Sequence, residues 1–233
     1  MTKKSPSAFT LVEMLVVIAI IATIAAFALP AITGALTRGQ LAQAVSNARQ
    51  VHLATFAMTT DGTQTGDPKF AWPGDLFNAA APAKITTVAD FVTRLVDNDY
   101  LKAGDLKVFA APGITPWVGT YTAPPDANST GNFAPAFNGN TNCAFKIYKV
   151  TDRDPGNTIF LATKNFTYTD AVAISTTTTP FGDKGFVIFH KGGDGTFYKK
   201  QQATNKNLLG NPPGGGDVSP PPNETNDSFL QAQ

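Results

Sequence analysis

The chain has 233 residues, enough for one or two domains, with 18 basic against 17 acidic side chains. That balance carries no basic footprint for nucleic acid, and charged residues make up only 15% of the chain, against roughly 25% in ordinary soluble domains. A single cysteine, Cys143, and two histidines, His52 and His190, exclude an intrachain disulfide and any thiolate-rich or histidine-rich metal centre. No catalytic carboxylate pair is recognisable in the sequence, and Glu13 and Glu224 are the only glutamates. The composition points away from an enzyme.

The first eight residues carry Lys3 and Lys4. Phe9 to Leu29 then reads FTLVEMLVVIAIIATIAAFAL, apolar throughout except for threonines and Glu13. Twenty-one residues at about 1.5 Å each span roughly 32 Å of helix, enough to cross a bilayer core. Positive charge before the span keeps the short N-terminus cytoplasmic and sends the remainder outward. Glu13 is out of place in a plain anchor, since a carboxylate in the membrane is costly and normally has a partner. A cut just before Phe9 would create such a partner, an α-amino group one helical turn away on this chain or on a neighbour.

Ser7-Ala8-Phe9-Thr10-Leu11-Val12-Glu13 and the apolar run after it resemble the processing site of type IV pilins and type II secretion pseudopilins. The resemblance implies cleavage between Ala8 and Phe9 by a prepilin peptidase, which also methylates the new Phe9 amino terminus. It implies that Glu13 is the assembly carboxylate and that Pro30 is the proline that loosens the helix. Ala8 stands where the family usually has Gly. The implied partners are further copies of the chain in a homo- or hetero-polymeric filament, the prepilin peptidase, an inner-membrane assembly platform and the lipid bilayer. The implied location is the bacterial inner membrane, single-pass with a periplasmic domain, and then a periplasmic or cell-surface filament. Without a cysteine pair, the chain matches a pseudopilin better than a pilin with a disulfide-bounded loop. Alternatives are a true pilin, major or minor, and a membrane-anchored periplasmic binding protein that never polymerises. A secretory signal ending at Ala26-Phe27-Ala28 is a further alternative, opposed by Glu13 and by the unbroken apolar length.

Downstream, Pro30, Gly34 and Gly39 predict a helix that bends or melts. From Gln40 to Thr60 an amphipathic stripe of Leu41, Val45, Ala48 and His52, widened by Leu53 and Phe56, predicts packing on a domain, with Asn47 outside the stripe. Asp61-Gly62 is the expected stop. Thr87 and Asp90 form a capping-box pattern ahead of a helix with Val88, Phe91, Val92, Leu95 and Val96 on one face and Asn98 as its end. Residues 104 to 142 read as a long loop region with brief strands.

Two hairpins follow. Ala144–Val150 pairs with Thr158–Thr163 across Asp154-Pro155-Gly156-Asn157, where Gly and Asn are expected to take positive φ. Phe186–Phe189 pairs with Thr196–Tyr198 across Gly192-Gly193-Asp194-Gly195. The fold class is α+β: a long N-terminal helix, half transmembrane and half amphipathic, on a domain of antiparallel hairpins. The expected divisions are a leader over 1–8, the helix over 9–60, a globular periplasmic domain over 61–209 and a disordered Pro/Gly-rich tail over 210–233. No cofactor is expected apart from a candidate Ca²⁺ site at Asp152, Asp154 and Asn157, whose oxygens equally serve turn hydrogen bonds. Cys143 with His190 lacks a nucleophile signature and reads as structural.

Overall fold

The computed structural model describes residues 10–126, 129–169, 174–175, 178–213 and 229–231. The chain divides into two compact units, Met1–Gly39 and Gln40–Gln233. One helix, α1 (Leu11–Thr65), contributes to both. Pro30, Gly34 and Gly39 all lie within continuous helix, so the expected melting does not occur. Proline removes a single backbone donor, and helix on both sides propagates across that loss.

In the second unit α1 is the central core helix. Its buried positions include Leu41, Ala44, Asn47, Ala48, Val51, His52, Ala54, Thr55, Met58 and Thr59, most of them recurring at three- and four-residue spacing. The real stripe differs from the one read in the sequence. Leu53 and Phe56 stay 58% and 53% exposed, while Asn47 is buried and its Nδ2 donates to the Ala110 carbonyl at 3.3 Å. Small residues such as Ala44 and Ala48 share the buried face with Leu41 and Met58, which lets the helix lie close to its neighbours, while Leu53 and Phe56 fall outside it. Gly62 shows this most clearly. A Cβ there would lie 2.7 Å from the Phe70 carbonyl carbon and nearer still to its oxygen. Gly62 therefore marks a close approach and not the end of the helix. The stop comes at Gly66, whose φ of +71° suits a left-handed C-terminal cap.

After α1 come α2 (Pro73–Asn78) and α3 (Val88–Asp97). The capping box ahead of α3 forms as expected: Thr87 Oγ1 accepts from Asp90 N, and Asp90 Oδ2 accepts from Thr87 N. A 3₁₀ turn at Ala103–Phe109 leads to a small antiparallel ribbon, β1 (Thr120–Thr122) with β2 (Asn132–Ala134), and then to the short α4 (Gly139–Asn142). The main sheet holds β3 (Phe145–Ile147), β4 (Ile159–Thr163), β5 (Phe186–His190) and β6 (Gly195–Tyr198) in sequential antiparallel order. Both expected hairpins are present, with Phe145 opposite Thr163 and Phe186 opposite Tyr198. A short α5 (Lys206–Leu209) follows. This is the α+β architecture expected of a pilin-like chain.

Two local expectations change. Gly156 and Asn157 are absent from the positive-φ positions, which among the described residues near these hairpins include Gly193 at +91°. Gly156 instead meets Gly192 back to back, its carbonyl accepting from Gly192 N at 2.8 Å. The stretch from 210 onward also departs from a featureless tail at its described ends. Ile159 N donates to the Asn211 carbonyl at 2.7 Å, Leu230 is buried, and Leu230 N donates to the Ile147 carbonyl at 2.9 Å. Residues 214–228 and 232–233 lie outside the described residues.

The candidate assembly helix and its surroundings

Ala8 and Phe9, the expected scissile pair, lie outside the described residues. The description begins one residue later, at the start of α1, where Thr10 and Glu13 form a reciprocal cap. Glu13 Oε2 accepts from Thr10 N and from Thr10 Oγ1, each at 2.8 Å, and Glu13 N donates to Thr10 Oγ1 at 3.2 Å. Threonine at the N-cap with glutamate three residues on is the sequence pattern of a capping box. Both described partners of the carboxylate are donors at the positive end of its own helix, with which a negative charge interacts favourably.

On both sides of Glu13 the helix carries exposed large apolar residues, from Leu11 and Val12 before it to Leu15, Ile18, Ile21, Ile24, Phe27, Leu29, Ile32 and Leu36 after it, with 79% exposure at Leu11 and 78% at Phe27. It is the one helix among the described residues that is long and apolar enough to cross a membrane, and none of its apolar window is buried within the chain. Polar side chains here are satisfied internally: Thr23 and Thr37 hydroxyls donate to the carbonyls of Ala19 and Thr33 four residues back. Pro30 sits inside this stretch of backbone; its side chain lies outside the description. A helix apolar on all sides needs an apolar medium or other helices to cover it.

In the loop after β3 the Asp154 carboxylate is committed to Thr151, whereas Asp152 contributes its main-chain groups. Asp154 Oδ2 accepts from Thr151 N at 2.6 Å and from Thr151 Oγ1 at 2.8 Å. Asp152 N donates to Asp75 Oδ2 at 2.8 Å, and burial beside Asp152 and Asp154 pushes the Asp75 carboxyl above its ordinary range. The Lys191 ammonium donates to the carbonyls of Asp152 and Asp154 at 2.6 and 2.7 Å, supplying the positive charge at this turn. Asn157 contributes its backbone, its carbonyl accepting from Asn211 N at 3.3 Å. Among the described residues no three His, Cys, Asp or Glu side chains converge as metal ligands.

Cys143 and His190 have separate duties. The Cys143 thiol is fully buried, donates to the Phe145 carbonyl at 3.2 Å, and is pushed up to about 11 by burial, which disfavours a nucleophilic thiolate. His190 bridges Asp194 Oδ2 through Nδ1 at 2.7 Å and the Leu209 carbonyl through Nε2 at 2.8 Å. His52 donates from Nε2 to the Lys191 carbonyl at 2.8 Å, within an aromatic surround of Phe56, Trp72, Phe160 and Phe189. Burial holds its imidazole below the ordinary range. The turn after β5 thus gathers α1, the Asp152–Asp154 loop and the segment after α5 around Lys191 and the two histidines. Lys191 gave no signal in the sequence, since a lysine next to a glycine turn is unremarkable there.

Comparison with known proteins agrees with this geometry. Residues 3–29 match the family model described as a prokaryotic N-terminal methylation motif. The chain is similar to the type IV major fimbrial protein FimA of Dichelobacter nodosus, with 26% identity over 78% of this chain and 98% of the relative. No solved structure matches it significantly. With the methylation motif at its start, an exposed apolar helix behind that motif and an α+β domain on the helix's second half, the chain is similar to type IV pilin-like structural subunits.

Proposed function

We propose that the chain is cut between Ala8 and Phe9, methylated on Phe9, held in the inner membrane by the apolar half of α1 with its domain in the periplasm, and assembled into a filament through that helix. The observation that carries this reading is the uncovered apolar surface from Leu11 to Leu36 on a helix whose second half is built into the core of a folded domain. In the bilayer, lipid covers that surface; in a fibre, the helices of other copies replace the lipid. Glu13 is spent on its own cap in the single chain, and the new amino group of Phe9 or of a neighbour is the cation that exchanges with those Thr10 donors on assembly. After loss of Lys3 and Lys4 the chain keeps 16 basic against 17 acidic side chains, so long-range repulsion does not oppose close packing of copies.

Two destinations for such a fibre draw on different observations. The lone, buried Cys143 supports a type II secretion pseudopilin. Similarity along nearly the whole length of a major fimbrial protein supports a pilus subunit. The second covers more of the chain and carries more weight.

The test is the mature terminus from native membranes, read by intact mass and terminal peptides. N-methylated Phe9 at the start supports the reading, and a start near Leu29 overturns it. Glu13→Ala should leave the domain folded while incorporation into fibres falls roughly tenfold, the factor that about 1.4 kcal/mol of lost pairing produces. Unchanged incorporation would refute the role given to the carboxylate. Fibres on the cell surface favour the pilus destination, and a secretion defect without surface fibres favours the other.

A further inference from the structure

Strand β3 is the outer strand of the main sheet, with β4 on one side only. An open edge would present unpaired backbone groups ready to take another strand. Here the segment Phe229–Gln231 fills it. Phe229 forms an antiparallel bridge with Tyr148, Leu230 N donates to the Ile147 carbonyl at 2.9 Å, and the Gln231 carbonyl accepts from Val88 N, the first amide of α3, at 2.9 Å. Side chains add to this seat. Leu230 is 1% exposed in the core, and the Phe229 ring lies against Tyr148 at 6.1 Å with Lys146 Nζ 5.1 Å from its centroid. Main-chain bonds to a sheet edge with one deeply buried side chain are the pattern by which extended peptides are recognised.

Between Pro213 and Phe229 stand residues 214–228, GGGDVSPPPNETNDS, a composition without the apolar content to build a core of its own. Sixteen Cα steps reach up to about 55 Å when extended. A domain of the size of Gln40–Gln233 is roughly 40 Å across. The tether is therefore long enough to seat its Phe-Leu-Gln segment on an adjacent copy.

We propose that the β3 edge together with the α3 N-terminus is a peptide-docking site for Phe229–Gln231, and that packed copies of the chain exchange this segment, each seating it on a neighbour. The contacts are identical within and between chains, so the choice between them is set by effective concentration, and close packing of copies raises the competing term. The inference rests on the proposed filament only for what brings the copies together.

The experiment mixes two full-length variants, one carrying Tyr148→Cys and the other Phe229→Cys, under conditions of assembly and mild oxidation; Cys143 is buried and stays in place. A bridge pair has its Cα atoms about 4.5–5.5 Å apart, inside the span a disulfide closes. Exchange predicts covalent heterodimer joined at 148 and 229, about tenfold above a mixture of the Phe229→Cys chain with wild type. Thr87→Cys with Gln231→Cys, the other bridged pair, repeats the test if Tyr148→Cys disturbs the fold. Heterodimer at background, with the double variant closing within its own chain, overturns the exchange; a double variant that fails to close overturns the docking site as well. Electron microscopy of the same samples separates the two readings. Fibres without heterodimer refute exchange alone. Where no fibres form the filament reading fails, and exchange is then judged in the concentrated detergent-solubilised mixture, where heterodimer must rise with protein concentration.

Discussion

Two glycines on α1 give opposite answers to the same substitution. In an exposed helix interior, Gly→Ala stabilises by about 0.8–1 kcal/mol, because glycine gives up more backbone freedom on folding. Gly39 has nothing within 4 Å of an added Cβ, so Gly39→Ala should gain that amount. At Gly62 the Cβ would sit 2.7 Å from the Phe70 carbonyl carbon and 2.9 Å from Phe70 Cβ, with the carbonyl oxygen closer than either. Backbone cannot swing away as a flexible side chain does, so the helix or the Phe70 segment must shift. Overpacking of this kind costs about 1–3 kcal/mol, and contact with backbone puts it near the upper end. Subtracting the helical gain leaves Gly62→Ala destabilised by about 2 kcal/mol, or roughly 4–8 °C in Tm for a domain of this size. Thermal unfolding of the full chain in detergent, followed by near-ultraviolet circular dichroism, measures both. If Gly62→Ala raises Tm as Gly39→Ala does, the close packing of α1 on the Phe70 segment is refuted.

Burial lowers the His52 pKa from 6.5, so the folded state resists a proton that the unfolded state accepts. Its contribution is fully present above pH 6.5 and is lost as pH falls below that value. Between pH 7 and 5, His52→Gln should therefore flatten the fall in stability measured by urea titration, and an unchanged slope would sink the assignment. Calcium at millimolar concentration should leave Tm where a chelator leaves it, since Lys191 already supplies the charge at the Asp152–Asp154 carbonyls. A calcium-dependent rise that Lys191→Met enlarges would show that a cation competes for those oxygens.

Legibility in the sequence followed the range of the interaction. The membrane-length run, the Thr87–Asp90 cap of α3 and both hairpins of the main sheet were readable, because each depends on residues within about twenty positions of one another. The Thr10–Glu13 cap is equally local, yet a costly intramembrane carboxylate implies a cationic partner, whereas its partner here is the threonine three residues before it. Leu41, Ala48 and His52 lie on the buried face of α1 as the stripe predicts, but its widening by Leu53 and Phe56 fails: these point out while Asn47 points in. Helical periodicity defines a set of stripes, and only the distance to the neighbouring elements selects among them.

By itself, the sequence determined that this chain carries a processing motif, a bilayer-length apolar helix with a carboxylate near its tip, and an α+β domain. These are matters of composition, period and spacing, which survive without knowledge of any long-range contact. Tertiary structure alone decided that Gly62 is a contact and not a stop, that Lys191 gathers the loops around the two histidines, and that Phe229–Gln231 returns to seal β3. Each joins residues far apart in sequence, where a single glycine, lysine or leucine has no local signature and the geometry of the partner supplies its meaning.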